Sequence, residues 1–312
     1  MKTVSIVAPC YNEEKNIKKL VEELKFLFEN DLKEFDYEII FIDNDSTDKT
    51  QEIIKELIIN DKRIRMIVNA RNFGHIRSPF HGLISSEGDA SILIATDLQD
   101  PPSMVKDFVK HWKEGYKIVV GSKSESDEGF IIKTMRNLYY KIMSKITSDK
   151  HIEGFTGFGL YDKSIISELK NIKETYPYFR GLISELGYEI KTIKYKQPSR
   201  KLGKSKNNFF TLFDMAMLGI TSSSKLPLRF ITLFGLSVSI LSFIGALVFL
   251  LLKFFYWDDF SLGFAPLIIS FFFFSAIQFF VIGILGEYIS KLNENSTQLP
   301  RVVEKERINF KV

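Results

Sequence analysis

From the start of the chain to about residue 120, short β-rich apolar runs alternate with longer segments in which apolar residues recur every three or four positions. Thr3–Ala8 reads as a strand. In Glu14–Glu29, Ile17, Leu20, Val21, Leu24 and Leu27–Phe28 share one helical face. Tyr37–Ile42 reads as a buried strand, and Asp45-Ser46-Thr47-Asp48 then offers caps for a helix through Ile59. Arg65–Val68 and Ala90–Ala95 repeat the strand pattern, with a helix near Ser78–Ser86 between them. Pro101-Pro102 opens another helix, where proline is tolerated in the first turn, and Lys117–Val120 reads as a fifth strand. The alternation predicts an α/β fold with an open, mainly parallel sheet, whose ligands bind outside the carboxyl ends of the strands.

The pattern changes in the last third. Phe230–Leu252 holds 23 residues without Asp, Glu, Lys or Arg, and Phe260–Gly286 holds 27 more. At about 1.5 Å of rise per residue, each could cross a hydrocarbon core of about 30 Å. A buried core helix rarely stays apolar all round, and Phe271–Phe274 points in every direction about the axis. Arg200, Lys201, Lys204, Lys206, Lys225 and Arg229 precede the first run, and Lys291, Arg301, Lys305, Arg307 and Lys311 follow the second. The aromatic link between the runs carries one basic residue, Lys253. The positive-inside bias therefore predicts a multi-pass protein of the cytoplasmic membrane with both termini in the cytoplasm.

The expected organisation is a cytoplasmic catalytic domain over 1–206, a juxtamembrane amphipathic segment over 207–227 and a transmembrane hairpin over 228–287. Its spans are about 229–252 and 262–286, and 288–312 forms a cytoplasmic tail. Within the juxtamembrane segment, Phe209–Ile220 carries only Asp214 as a charge and reads as interfacial.

Composition adds exclusions. With 45% apolar and 26% charged residues the chain is not disordered, and a net charge of +4 calls for no nucleic-acid partner. The single cysteine, Cys10, rules out an internal disulfide framework. His75, His81, His111 and His151 show no metal-ligand spacing and are assigned structural or surface roles; Trp112 is assigned to packing and Trp257 to the interface.

The polar residues needing explanation sit at the strand ends: Pro9-Cys10-Tyr11-Asn12-Glu13, Asp43-Asn44-Asp45 and Asp97-Leu98-Gln99-Asp100. Three acidic loops on one edge suit a ligand with ribose hydroxyls and a diphosphate, together with a hard cation, Mg²⁺ or Mn²⁺. Helix capping is the competing explanation. It is favoured for Asp45 and Asp48, and function is favoured for Asp43 and Asp97. Strand one runs into APCYNEE, not GxGxxG, which argues against a dinucleotide-binding domain. Gly203-Lys204-Ser205 lacks the upstream glycine of a P-loop, because that position is Pro198.

These residues carry a resemblance. VSIVAPCYNEEKNI at 4–17, IIFIDNDSTDKT at 39–50, RNFG at 71–74, ATDLQDPP at 95–102 and FTGFGLYD at 155–162 resemble the family 2 glycosyltransferases. YFRGLISELGYEI at 178–190, GKSK at 203–206, GITSSSKLPLR at 219–229 and LGEYI at 285–289 extend the likeness to the polyisoprenyl-phosphate (undecaprenyl- or dolichyl-phosphate) glycosyltransferases. The resemblance implies an A-type nucleotide-sugar-binding, Rossmann-like domain followed by the hairpin, and four-fold self-association. Pro9, Tyr11, Glu13 and Asp43 would hold uracil and ribose, with Asp97 and Arg200 completing the donor site. Asp97 would be the catalytic, metal-binding acid of an Asp-x-Asp element, with Gln99 beside it. Lys123, Arg136, Arg200 and Lys206 would approach the acceptor phosphate. Ala95 departs from the pattern by replacing the first acid of the element, and Phe158 stands where many relatives have Asp.

The expected reaction is inverting transfer of a sugar from a UDP-sugar to undecaprenyl phosphate at the cytoplasmic membrane face, for cell-envelope polysaccharide or lipopolysaccharide modification. One alternative is a nucleotide-sugar-binding membrane scaffold that has lost catalysis, suggested by Ala95 and Phe158. Another is a processive polysaccharide synthase, disfavoured because neither tryptophan follows an arginine in a Gln-x-x-Arg-Trp element. The sequence does not identify the sugar.

Overall fold

The computed structural model describes residues 1–125, 152–198, 217, 226–255, 264–296 and 300–310. Its centre is an eight-stranded sheet in the order β7-β5-β6-β4-β1-β2-β3-β8. The strands are β1 (Lys2–Cys10), β2 (Phe35–Asp43), β3 (Ile64–Asn69), β4 (Ala90–Leu93), β5 (Ile118–Glu125), β6 (Phe155–Asp162), β7 (Ile190–Lys196) and β8 (Glu304–Ile308). β3, β2, β1 and β4 run parallel; β6 and β8 run against their neighbours. The sheet is thus mainly parallel, as the alternation predicts.

The helices of this part are α1 (Ile17–Asn30), α2 (Thr50–Asn60), α3 (Gly74–Ile84), α4 (Met104–Lys113), α5 (Lys163–Asn171) and α6 (Phe179–Glu185). Strand period two sends Val4, Ile6 and Ala8 to one face of β1 and Val7 to the other. The first face packs against Leu20, Leu24 and Phe28 of α1, Ile54 of α2 and Phe108 of α4. The second packs against Phe80 and Leu83 of α3, with Ile165, Ile166 and Leu169 of α5 in the same cluster. Trp112 packs as expected, tilted against Phe35, and its indole N–H donates to Asp162 at 2.8 Å.

Two differences from the pattern have local causes. α3 begins at Gly74, ahead of Ser78, because the Asn72 side chain accepts the Gly74 N–H at 2.8 Å and starts the helix before Pro79. β4 pairs only to Leu93, since the Ala95 N–H turns to Asp100 at 3.1 Å.

Two long helices follow, α7 (Leu226–Phe255) and α8 (Phe264–Ser296), of 30 and 33 residues. They contact each other. Phe273–Ser290 of α8 is long and apolar enough to cross a membrane, and none of its described side chains is buried; in α7 the corresponding stretch among the described residues is the shorter Leu228–Val238. Residues 288–312, read from sequence as a tail, include the end of α8 and strand β8, which pairs antiparallel with β3.

Candidate active site

The order of β4, β1 and β2 makes a topological switch point. β1 leads to β2 on one side while β4 lies on the other, so the loops leaving their carboxyl ends meet over a crevice. Register brings Cys10 opposite Asp43, and the Thr96 hydroxyl donates to the Pro9 carbonyl at 3.0 Å. Three of the expected ligand-binding stretches are therefore neighbours.

Each of these loops holds one non-glycine residue in the left-handed region: Asn12 (φ 57°), Asp45 (φ 66°) and Leu98 (φ 59°). Asn and Asp tolerate this conformation; a leucine does so at a cost and needs surrounding structure to hold it. Such strain concentrates at functional sites. No pattern of residue types announces it for Leu98.

Hydrogen bonds hold the first two loops together. The Asn12 N–H donates to Ser46 Oγ at 2.9 Å, and Asn12 Oδ1 accepts the Thr47 N–H at 2.8 Å. The Glu13 N–H donates to Thr50 Oγ1 at 2.9 Å, while Glu13 Oε2 accepts from Asn16 at 2.7 Å. Asp43 is fully buried, and its Oδ2 accepts from the Ser46 N–H at 3.0 Å and from Gln51 at 2.6 Å. Asp48 acts at the start of α2, accepting the Thr50 N–H at 3.0 Å. Burial, followed by the charges of Asp43 and Glu13, pushes the Cys10 thiol well above its usual range, so Cys10 is a neutral packing group.

Asp97 is partly exposed in the loop after β4, with its Oδ1 accepting the Gln99 N–H at 3.1 Å. Behind it, Asp100 is buried. Its Oδ2 accepts the Ala95 N–H at 3.1 Å and its Oδ1 accepts the Tyr195 hydroxyl at 2.8 Å. Burial pushes the Asp100 carboxyl up to about 6, against the pull of these donors. Sequence reasoning placed Asp100 in the loop without a role and missed Tyr195, whose partner lies 95 positions away.

Lys123, near the end of β5, is partly exposed, and its N–H donates to the Gly154 carbonyl at 3.0 Å. Gly154 has φ +70°, and a Cβ there would lie 2.4 Å from the Lys123 carbonyl oxygen, so the close approach requires glycine. Lys123 is among the charges acting on Asp100, which connects it to the same region. Arg136, Arg200 and Lys206 lie outside the described residues. Phe158 is buried in the core, edge-on to Phe108 at 4.8 Å and to Tyr195 at 5.7 Å between ring centroids.

Another network absent from the sequence reading centres on Asn44, whose Oδ1 accepts from Asn69 and from the Phe73 N–H, both at 2.9 Å. Its Nδ2 donates to Asn72 at 2.8 Å. Residues 72–74 are thereby fastened to the residue that follows Asp43.

Residues 5–170 match Glycosyl transferase family 2. The chain belongs to this family. It is therefore a glycosyltransferase, and the crevice at the switch point is its candidate active site. A bactoprenol glucosyl transferase of Shigella phage SfV is 32% identical over 304 residues, covering 97% of this chain and 98% of that protein. The uncharacterised glycosyltransferase YkcC of Bacillus subtilis (strain 168) is 33% identical, covering 95% and 91% respectively. Among solved structures, glucosyl-3-phosphoglycerate synthase of Mycobacterium tuberculosis, in complex with Mn²⁺, UDP-glucose and glycerol 3-phosphate, aligns with a TM-score of 0.51 at 20% identity. That alignment covers 70% of this chain and 78% of that one, and it agrees with the family's α/β fold.

Proposed function

We propose that this glycosyltransferase moves a sugar, with inversion, from a UDP-sugar to undecaprenyl phosphate at the cytoplasmic membrane face. The observation that carries the reading is the 32% identity to a bactoprenol glucosyl transferase along 97% of the chain, a span that includes α7 and α8 as well as the sheet. That relative's name makes glucose the first sugar to test. The exposed apolar side chains of α7 and α8, among them Leu233, Leu241, Phe271 and Phe279, support a membrane-embedded hairpin. The product would feed a cell-envelope polysaccharide.

In this reading Pro9, Tyr11, Glu13 and Asp43 line the uridine side, and a ligand shares Asp43 with Ser46 and Gln51. A lipid phosphate is ionised near neutral pH, so its oxygen needs no strong base to attack the anomeric carbon. The new C–O bond forms on the face opposite the departing diphosphate, the old C–O bond breaks, and UDP leaves with the electron pair. No enzyme nucleophile is required. Lys123, and in sequence Arg136, Arg200 and Lys206, are the cations this reading assigns to the phosphates, where positive charge favours the charge that moves onto the leaving group.

The donor set fits a divalent cation. Asp97 offers a partly exposed carboxylate at a strand end and Gln99 a carbonyl oxygen, both hard ligands. Ala95 contributes no donor, so Asp97 and Gln99 would hold the ion together with diphosphate oxygens. When bound, such an ion supplies positive charge at the leaving diphosphate.

The test is product analysis with full-length protein in lipid nanodiscs. UDP-glucose and undecaprenyl phosphate are expected to give a glycolipid whose mass exceeds that of the acceptor by one hexose unit. A panel of UDP-sugars giving no glycolipid would refute the reading.

A further inference from the structure

Arg77, on α3, is a buried cation whose described partners are neutral oxygens. Its Nε donates to the carbonyl of Arg301, its Nη2 to the carbonyl of Pro300 at 2.9 Å, and its Nη1 to the Tyr176 hydroxyl at 3.2 Å. The guanidinium also lies 4.9 Å from the ring centroids of both Phe73 and Tyr176. Burying a charge is unfavourable unless its donors are matched. Here the matching comes from two stretches distant in sequence, residues 174–178 and the chain that leaves α8.

The second stretch is closely docked. Val302 is buried, the Ala70 N–H donates to the Val303 carbonyl at 2.9 Å, and β8 pairs with β3 from Asn69↔Glu304 to Met66↔Ile308. His81 pairs with Glu304, which also holds Arg307. Pro300 lies four positions after Ser296, the last residue of α8, so chain length alone keeps the clamp within about 14 Å of the end of that helix.

On its other side, Arg77 reaches the 70–74 loop. It stacks on Phe73, whose N–H is held by Asn44, next to Asp43. The described contacts thus run from Pro300 through Arg77, Phe73 and Asn44 to Asp43, on the uridine side of the proposed site. We infer that Arg77 is a positioning residue for the donor: it ties the loop at 70–74 to the chain leaving the membrane helix, so that the donor loops are fully formed only when residues 300–308 are docked. This rests on the donor site proposed above.

The test uses full-length protein in lipid nanodiscs carrying Arg77→Lys, which keeps the charge but loses the forked geometry. Hydrogen exchange is expected to quicken at least tenfold at residues 70–73 and 304–308, with β1 unchanged. The KM for the UDP-sugar should rise five- to twentyfold while kcat and the KM for undecaprenyl phosphate stay within about twofold. Val302→Ala, which loosens the same segment from its own side, should raise the donor KM in smaller measure. Faster exchange with an unchanged donor KM in both variants would make the clamp a purely structural contact and overturn the inference. Unchanged exchange at 70–73 would overturn it as well. Absence of turnover in the unmodified protein is a separate result: it removes the donor reading itself, and the positioning role with it.

Discussion

The Tyr195 hydroxyl donates to Asp100 Oδ1 at 2.8 Å, joining β7, the outermost strand on one side of the sheet, to the loop that carries Asp97. Asp100 has been withdrawn from water, and the Tyr195 and Ala95 donors compensate part of that loss. Tyr195→Phe removes one donor from a buried carboxylate, which costs about 1–3 kcal/mol. Chemical denaturation should show that loss. Turnover should fall several-fold, because the backbone around Ala95 and Asp97 loses part of its support.

The proposed metal site has one carboxylate. A chelator is expected to abolish transfer, with Mn²⁺ or Mg²⁺ restoring it, and Asp97→Asn should lower kcat at least a hundredfold with little change in stability. Ala95→Asp adds a second hard donor two positions before Asp97. The cation concentration giving half-maximal activity should then fall. An unchanged cation requirement in Ala95→Asp would place the ion away from this loop.

Asp61 provides the acid-side pH dependence of stability. Burial opposes its charge, but Arg63 at 2.9 Å and Lys25 at 2.8 Å prevail and hold the carboxyl well below its ordinary value. A depressed folded-state value means the stabilisation is fully present above the unfolded value, about pH 4. It is lost as the pH falls further. Asp61→Asn should lose about 1–3 kcal/mol at neutral pH. Its stability should also fall less steeply than that of the unmodified protein below pH 4, as read from denaturation midpoints across pH.

Phe158 stands where the resemblance leads one to expect aspartate, and its surroundings are those of a core side chain. Phe158→Asp would bury a carboxylate between Phe108 and Tyr195 and remove an aromatic contact on each side. A loss of about 3 kcal/mol or more is expected, measured by thermal or denaturant unfolding. Recovery of higher turnover without loss of stability would contradict this assignment.

The sequence carried the first five strands because each is short, apolar and bounded by polar turn residues, and it carried α1 because Leu20, Leu24 and Phe28 repeat at helical spacing. It did not announce β8, whose Glu304-Lys305-Glu306-Arg307-Ile308 has no apolar alternation; backbone pairing with β3 and the Glu304 contacts hold it. The loops at Asp43 and Asp97 could be placed at strand ends by pattern alone. The roles of Asp100, Asn44 and Arg77 could not, because their partners lie tens to hundreds of residues away and are fixed only by strand order. The third helix starts at Gly74, ahead of Ser78, where the Asn72 side chain accepts the first N–H, a contact that hydrophobic spacing does not reveal.

The central claim is that the donor bond breaks when a lipid phosphate attacks it. The most direct measurement is UDP release from UDP-glucose by the full-length protein in nanodiscs, with and without undecaprenyl phosphate, beside Asp97→Asn. Release should rise at least tenfold with the lipid, match glycolipid formed mole for mole, and collapse in the variant. UDP release at the same rate without the lipid, or full activity in Asp97→Asn, would contradict it.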